Sequence, residues 1–278
     1  MKLVFETLLC CLLSLSSFSQ KGYEIGGWLG TSLYFGDLNT NFQLTEPGYA
    51  GGIIGRYNFD ERISLKGSLN YARISGDDSD SPNFFERERG LNFSSQLIDA
   101  TAHIEFNFFP YIHGHKELYF TPYLVAGLTM TRFNPKRSYF DPDLMETVSV
   151  TLQPLGTEGQ LPGEEYSRFS PGFSLGGGFK FDLTKLWSIN IEVGTRLLLT
   201  DYLDDVSGVY ANPDDIDGNR SVVFGSGILP SDIADPTGNF EAGKQRGNMR
   251  DNDSYTFIGI SVMRYFGSLQ CPKPSAIF

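Results

Sequence analysis

The chain has 278 residues, with 33 acidic against 22 basic side chains and a formal net charge of −11. Proteins that bind nucleic acid neutralise phosphates with clustered lysine and arginine, so this charge balance argues against a nucleic-acid partner. No Pro/Ser-rich linker divides the sequence, which favours one domain.

The amino terminus has the pattern of a cleaved secretory signal. Residues 1–19 begin with Lys2, continue through a leucine-rich apolar core and end in small residues on either side of Phe18. A membrane-anchoring helix would need about 20 apolar residues, and Glu6 and several serines interrupt the run before that length. We therefore expect cleavage, with residues 20–278 forming the mature domain and a short carboxyl-terminal tail.

Eight stretches of the mature chain alternate apolar and polar side chains with a period of two, which is typical of β-strands. In the clearest stretch, aliphatic residues from Ile189 to Leu199 face one way, whereas Glu192 and Arg196 face the other. An apolar face about ten residues long matches a tilted membrane-spanning strand. The alternation predicts strands at residues 23–35, 49–59, 63–71, 96–109, 118–132, 173–183, 188–199 and 255–266.

The connections between these strands alternate in length. Those after the second, fourth and sixth strands are short, whereas the other four are long and polar. This asymmetry predicts an all-β fold, an eight-stranded antiparallel up-and-down transmembrane β-barrel with long extracellular loops and short periplasmic turns. The acidic loops at 141–170 and 201–253 are then extracellular, and the tail at 267–278 is periplasmic. We expect the barrel to lie in the bacterial outer membrane, with lipid around it.

A soluble sandwich of short strands is the alternative, because it would bury the same aliphatic face against a second sheet. Three features argue against the sandwich: the secretory signal, the unequal connections, and aromatic residues near the predicted strand ends, such as Tyr57, Phe108 and Trp187. Aromatic residues at these places are typical of the girdles at a membrane interface.

The polar faces of the strands predict the contents of the lumen. An eight-stranded barrel is just wide enough to be filled by side chains, and unpaired charges in such a space are costly. We therefore expect the inward charges to pair and to disfavour a diffusive pore. The predicted lumen charge network consists of Glu24, Arg56, Lys66, His103, Glu105, Lys180, Asp182, Glu192 and Arg196.

An enzyme is a second class to consider, but the sequence offers no pattern for a catalytic, metal or cofactor site and none for a small-molecule substrate. His113 and His115 lie in a short turn and are expected to be solvated, and His103 belongs to the lumen. Residues 212–219 resemble a calcium loop, but Phe224 occupies the position of its terminal glutamate. Weak, adventitious binding of calcium by the acidic loop remains an alternative.

Several segments resemble the PorG family, outer-membrane barrels of the type IX protein secretion system of Bacteroidota. The distinctive segment is Asp201, Tyr202, Leu203, Asp204 and Asp205, which directly follows a Glu-Val-Gly-Thr-Arg strand. Residues 24–38, residues 246–255 and the pair Cys271-Pro272 are similar as well. The motif carboxylates either brace the long loop or contact a partner, since carboxylates commonly fix turns.

The resemblance implies a non-enzymatic component that anchors or positions a periplasmic ring built from a lipoprotein, PorK, and its partner PorN. It assigns the ring contact to the turn and the tail: Tyr111, His113, His115, Cys271 and Pro272. Cys271 is the one cysteine outside the predicted signal, so it is either unbonded or linked to a partner by an intermolecular disulfide. The alternative function is that of a generic small barrel for adhesion or envelope integrity.

Overall fold

The computed structural model describes residues 21–40, 44, 46–220, 223–224 and 227–267. The predicted signal and the tail with Cys271 and Pro272 lie outside these residues. The strands are β1 (Gly22–Phe35), β2 (Gly48–Asn58), β3 (Ile63–Asp77), β4 (Asn92–Asn107), β5 (Phe120–Arg132), β6 (Pro135–Asp141), β7 (Glu146–Thr151), β8 (Phe169–Asp182), β9 (Trp187–Leu198) and β10 (Ser254–Gly267).

Eight of these strands form a closed antiparallel barrel. Strands β1 to β5 pair in sequence order, and β5 pairs with β8, β8 with β9 and β9 with β10. Strand β10 then pairs back with β1 over the whole length of both strands. Closure removes the free edges of the sheet, so the backbone of the wall is hydrogen-bonded within the barrel. The predicted eight-stranded antiparallel barrel is confirmed.

The outer face of the wall is apolar on every strand. One exposed residue from each barrel strand, between 44% and 78% accessible, illustrates the belt: Leu29, Ile53, Leu69, Ile104, Leu128, Phe173, Ile191 and Ile260. Such a continuous apolar surface is far larger than the patches of water-soluble monomers. It is the surface of a membrane-spanning barrel, which lipid covers.

The two ends of the barrel differ. Three connections, at 59–62, 108–119 and 183–186, lie at one end, here called the turn end. The other four, at 36–47, 78–91, 133–168 and 199–253, lie at the opposite end, here called the loop end. The expected difference in length does not hold for every connection, because 36–47 and 108–119 each have 12 residues. Aromatic rings pack together on the outside near the turn end, where Tyr57 lies 4.8 Å from Tyr23 and 4.9 Å from Phe59 between ring centroids.

Three of the loop-end connections, 78–91, 133–168 and 199–253, contain helices or strands that the alternation did not reveal. Strands β6 and β7 form a hairpin within 133–168, attached to β4 at Ser94 and Ser95. Three short helices complete this end: α1 (Phe84–Arg89), α2 (Pro213–Asn219) and α3 (Pro230–Ala234). In the part of the chain described, no helix is long and apolar enough to span a membrane.

Candidate functional site

The centre of the lumen near the turn end is a buried cluster of four charges. Arg56 Nη1 lies 2.8 Å from Glu24 Oε2, and Arg56 Nη2 lies 3.1 Å from Glu105 Oε2. The ammonium group of Lys180 pairs with the other oxygen of Glu105. All four residues are at most 3% exposed. They come from β2, β1, β4 and β8, whose alternation directs these side chains inward.

A second group of charges lies beside this cluster. Lys66 Nζ is 2.5 Å from Glu192 Oε2, which also accepts a 2.7 Å hydrogen bond from the Tyr123 hydroxyl. The Arg196 guanidinium lies 4.3 Å from the centroid of the Phe257 ring. The Lys66–Glu192 pair joins β3 and β9 on opposite sides of the lumen, whereas Arg196 and Phe257 lie on the neighbouring strands β9 and β10. Together these side chains fill the space between the walls.

Asp99 is a lumen residue that the predicted network lacked. Its two carboxylate oxygens accept hydrogen bonds from Asn70, Thr101, Thr129 and Tyr255 at 2.5–2.7 Å. Its position was readable, because it shares the inward face of β4 with His103 and Glu105. What the sequence did not indicate is that neutral hydroxyl and amide groups hold this carboxylate, with Arg196 only 3.9 Å away.

His103 contacts no carboxylate within bonding distance. Its Nε2 lies 2.7 Å from the Ser174 hydroxyl, and both residues are at most 1% exposed. A serine and a histidine in contact can form a nucleophile and base, but that chemistry requires a substrate to reach them. Here the barrel wall encloses both groups, so the pair is best described as part of the lumen packing.

The remaining free space in the lumen is small. A cavity of about 30 Å³ lies between Trp28, Lys66, Glu192, Arg196 and Phe257. A cavity needs roughly 10–15 Å³ to hold one water molecule, so this one has room for about two. It is polar enough to keep them, and far too small for a diffusing solute.

We therefore expect the purified full-length protein to give no stable porin-sized conductance steps in a planar lipid bilayer. The physical reason is that paired charges occupy the lumen and would have to separate before ions could pass. The control is a porin of known conductance reconstituted in the same bilayer. Stable open steps of comparable size would contradict a closed lumen.

The turn at 108–119 closes the turn end. His113 Nδ1 lies 2.9 Å from Asp182 Oδ1, and its Nε2 lies 3.3 Å from Glu24 Oε1. The imidazole stacks on Tyr265 with centroids 4.4 Å apart, and the Tyr111 hydroxyl donates to Asp182. Burial opposes the charged imidazolium, but the two carboxylates outweigh it and raise the pKa of His113 to about 9.

This geometry corrects two expectations for the turn. His113 is 3% exposed and Tyr111 6% exposed, so His113 is not a solvated turn residue and neither side chain offers a partner surface. The carboxylates of Glu24 and Asp182 draw the turn under the barrel, an attraction that local sequence cannot indicate. His115 is half-buried, while Lys116 and Glu117 are exposed.

The raised pKa of His113 gives a pH dependence for the turn end. The pKa of His113 is raised from 6.5 to about 9, so the charged imidazolium stabilises the folded state. This stabilisation is fully present below pH 6.5 and is lost as the pH rises through about 9. We expect the free energy of unfolding in lipid vesicles to fall between pH 6.5 and pH 10. His113→Gln should reduce that fall, whereas His115→Gln serves as the matched control. An equal fall in the wild type and His113→Gln would contradict this assignment.

At the loop end, the segment 201–205 enters the mouth of the barrel. Leu203 is fully buried and belongs to one apolar cluster with Tyr34, Leu198 and Tyr255. The Tyr34 hydroxyl lies 2.5 Å from Asp204 Oδ2 and 3.2 Å from an oxygen of Asp253. Burial raises the pKa of Asp204 well above its ordinary value, and the neighbouring Asp37 raises it further.

Asp205 is held by a second set of contacts. Its carboxylate accepts 2.6 Å hydrogen bonds from Thr157 and Tyr166 and lies 3.5 Å from Arg246 Nη2. Burial raises the pKa of Asp205 to about 6, although the Arg246 charge works in the opposite direction. Arg246 Nη1 also pairs with Glu158 at 3.0 Å.

Asp201 and Tyr202, the first two residues of the motif, are less buried than the other three. Burial raises the pKa of Asp201 to about 7, and Asp37 adds to this shift. The hydroxyl of Tyr202 donates a 3.1 Å hydrogen bond to Glu158, and its ring stacks 4.5 Å from Tyr166. The five residues thus tie 199–253 to 133–168 and to the barrel wall. Burial favours the bracing role of the motif carboxylates over direct partner contact.

Comparison with protein families decides where this chain belongs. Residues 2–149, more than half of the sequence, match the model described as a domain of unknown function, DUF6089. The chain belongs to the DUF6089 family. Comparison with curated proteins gives no match.

Among solved structures, this DUF6089 protein is similar to OprG from Pseudomonas aeruginosa, with 12% identity, 90% of this chain and 98% of that chain covered, and a TM-score of 0.43. It is also similar to Ail of Yersinia pestis, with 11% identity, 89% of this chain and 99% of that chain covered, and a TM-score of 0.39. Neisserial surface protein A is similar as well, with 11% identity, 88% of this chain and 97% of that chain covered, and a TM-score of 0.38. The architecture itself is established by the strand pairing described above.

The calcium-like segment of this DUF6089 protein folds differently from a helix–loop–helix site. Residues Pro213–Asn219 form helix α2, and the Asn212 side chain accepts from the backbone N–H of Asp214 at its start. Asp217 accepts two hydrogen bonds from Ser231. Within the described residues, no group of three or more histidine, cysteine or acidic side chains is arranged to hold a metal ion.

Proposed function

We propose that this chain is a non-enzymatic outer-membrane anchor for protein secretion. It would hold or position a periplasmic ring of the PorK and PorN type, as the resemblance of its motifs to the PorG family implies. The observation that carries the proposal is the filled and capped barrel. A barrel without a pore acts through its surfaces, because neither solute passage nor catalysis in the lumen is open to it.

The turn end supplies the surface for a periplasmic partner. With Tyr111 and His113 turned inward, the exposed side chains of the turn at 108–119 are Phe108, Phe109, Lys116, Glu117 and Tyr119. Phe108 and Phe109 follow directly on the lipid-facing strand β4, so the proposed contact uses the last three. Aromatic residues are enriched in the core of protein interfaces and the rim is polar, so Tyr119 is the expected centre of the contact and Lys116 and Glu117 its rim. The tail with Cys271 and Pro272 remains part of the proposed contact, through an intermolecular disulfide or without one.

Co-purification tests the anchor. Tagged full-length protein should recover the ring lipoprotein and its partner from detergent-solubilised membranes. Replacing Lys116, Glu117 and Tyr119 together by serine, or deleting residues 270–278, should lower that recovery while the barrel stays inserted. A triple serine variant at Asp143, Leu144 and Met145, on the hairpin tip at the loop end, is the matched control. Wild-type recovery in both turn-end variants would count against the proposed surface.

Cys271 needs a separate test. If it is bonded to a partner, non-reducing electrophoresis of intact membranes should show a band that collapses to the monomer when reductant is added. Cys271→Ser should lack that band. A pattern unaffected by reductant would remove the disulfide while leaving the anchoring role in place.

The second candidate function is that of a generic small barrel for adhesion or envelope integrity. The observation that favours it is the folded loop end, where buried charge pairs hold long connections in a defined shape. Material recovered with the tagged protein separates the two functions. Ring proteins favour the anchor, whereas extracellular ligands, or no protein at all, favour the generic barrel.

A further inference from the structure

A groove at the loop end lies between helix α1 and the segment 239–248. Its volume is about 720 Å³, and three of the loop-end connections line it. Pockets for small ligands in proteins are usually about 300–1,000 Å³ and combine apolar walls with a few polar groups. The groove has this size and lies outside the membrane belt, where water-soluble molecules have access to it.

Two phenylalanine rings form the apolar part of the groove. Phe85 of α1 packs edge-on against Phe240, with centroids 5.6 Å apart. Phe240 in turn stacks on the buried Tyr210, with centroids 4.8 Å apart and planes 1° from parallel. One face of Phe240 is therefore covered from behind, which fixes the ring, and Phe85 stays 38% exposed.

The charge of the groove differs from that of its surroundings. The four loop-end connections contain 23 of the 33 acidic residues and only 9 of the 22 basic ones. The groove itself is lined by three acidic and three basic residues. Several of these are already paired, since Arg89 bonds Asp78 and Arg246 bonds Glu158. A groove with equal numbers of acidic and basic residues, within an otherwise acidic surface, favours a ligand without net charge.

The polar groups of the groove suit hydroxyl ligands. Side-chain amides of Asn83, Asn239, Gln245 and Asn248 line it, and an amide both donates and accepts hydrogen bonds. Asn83 already donates to Glu86 and Asn248 to Asp251, so each keeps only part of its hydrogen-bonding capacity for a ligand. Arg246, which is 2% exposed, also lines the groove, and its Nε has no hydrogen-bond partner among the described residues. A hydroxyl group likewise donates and accepts, so it can satisfy this mixture.

An extended peptide fits less well. Such a peptide binds by adding a strand to a free sheet edge. The groove backbone at 243–247 is already paired, because Tyr210 N–H donates to Lys244 O at 2.9 Å and Gly243 N–H donates to Tyr210 O at 2.8 Å. The side chains, rather than the backbone, must therefore make the contacts with the ligand.

We propose that this groove binds an uncharged saccharide. The Phe85 and Phe240 rings would pack against the C–H face of a pyranose, and the amide side chains would exchange hydrogen bonds with its hydroxyls. The sugar can come from a free or protein-linked glycan or from the head of an outer-leaflet glycolipid. The proposal does not depend on the ring-anchoring role, which concerns the opposite end of the barrel.

A glycan microarray probed with detergent-solubilised full-length protein tests this site. The probes are neutral hexose and N-acetylhexosamine tetrasaccharides, with sialyllactose as the anionic comparison. We expect retention on at least one neutral glycan, weakened about tenfold by Phe240→Ala, which removes an aromatic contact. Asn239→Ala, at an exposed position that does not affect packing, should also weaken it. Phe84→Ala, an exposed phenylalanine outside the groove lining, is the matched control.

The outcomes are decisive in both directions. Retention of neutral glycans that both groove variants weaken and the control preserves supports the site. Comparing the retained glycan free in solution and lipid-linked in micelles then identifies its source. No retention of any neutral glycan, preference for sialyllactose, or equal retention by wild type and both groove variants overturns the proposal. Recovery of the ring proteins by Phe240→Ala should stay at the wild-type level.

Discussion

Replacing Glu105 by alanine is expected to lower the free energy of unfolding by about 3–5 kcal/mol, the usual cost of removing one partner from a buried ion pair. Glu105 is fully buried and contacts both Arg56 and Lys180. Its loss leaves two positive charges close together in the lumen without the carboxylate that they share. Urea unfolding of the barrel in lipid vesicles measures the effect.

Two further variants sharpen this test. Glu117→Ala removes an exposed glutamate of the turn at 108–119 and should change the stability by less than about 0.5 kcal/mol. The double variant Glu105→Gln and Lys180→Met removes a charge of each sign, so it should be less destabilised than Glu105→Ala alone. If Glu105→Ala unfolds at the same urea concentration as Glu117→Ala, the buried network does not stabilise the barrel.

Replacing Arg246 by methionine is expected to lower the free energy needed to open the loop end by about 3 kcal/mol. The population of the open state then rises about a hundredfold. The guanidinium pairs with Glu158 and Asp205 and also donates a 2.5 Å hydrogen bond to the Asp205 carbonyl. Methionine keeps much of the packing volume but leaves both carboxylates buried without a cation. Limited proteolysis within 199–253 should accelerate accordingly, while the barrel strands stay protected.

The effect of Arg246→Met should depend on pH. Burial holds the pKa of Asp205 at about 6 against an ordinary value of 3.8, and the loss of Arg246 raises this pKa further. A carboxyl group whose pKa is raised by folding stabilises the folded state when the pH is below its pKa in the unfolded chain. That contribution is lost as the pH rises through its pKa in the folded protein. Cleavage should therefore be slower at pH 5 than at pH 8.

Arg250→Met is the matched control for this variant. Arg250 is an exposed residue of the same connection, and its loss should leave the proteolysis rate unchanged. Equal acceleration by Arg250→Met and Arg246→Met, or cleavage of Arg246→Met that is as fast at pH 5 as at pH 8, would contradict the role given to Arg246. The family motif would then need an explanation other than bracing.

The strands were predictable because alternation is a local property of the chain. In β4, successive residues from Ile98 to Phe106 point alternately to lipid and to the lumen, so each side can be read from its neighbours. The same argument indicated the inward position of Glu105. It did not indicate that Lys180, far along the chain on β8, is its partner, since that contact depends on how the barrel closes.

The connections were harder to predict for the same reason. His113 packs edge-on against Tyr111 of its own turn, but its burial follows from the carboxylates on β1 and β8. The buried face of the β6–β7 hairpin mixes charged and apolar residues, such as Arg137, Asp141 and Val150, so it has no uniform apolar face that the sequence would reveal. Sequence reasoning therefore described 133–168 as a long polar loop and missed its folded core.

Taken by itself, the sequence determined the number of barrel strands and the face on which the side chains of the barrel strands lie. These properties follow from a period of two residues and from local composition. Only the tertiary structure decided which charges meet, that the turn at 108–119 covers one end, and that Asp204 reaches Tyr34, 170 positions away. Those contacts depend on the stagger of eight strands around a closed wall, and that stagger is set by all of their pairings together.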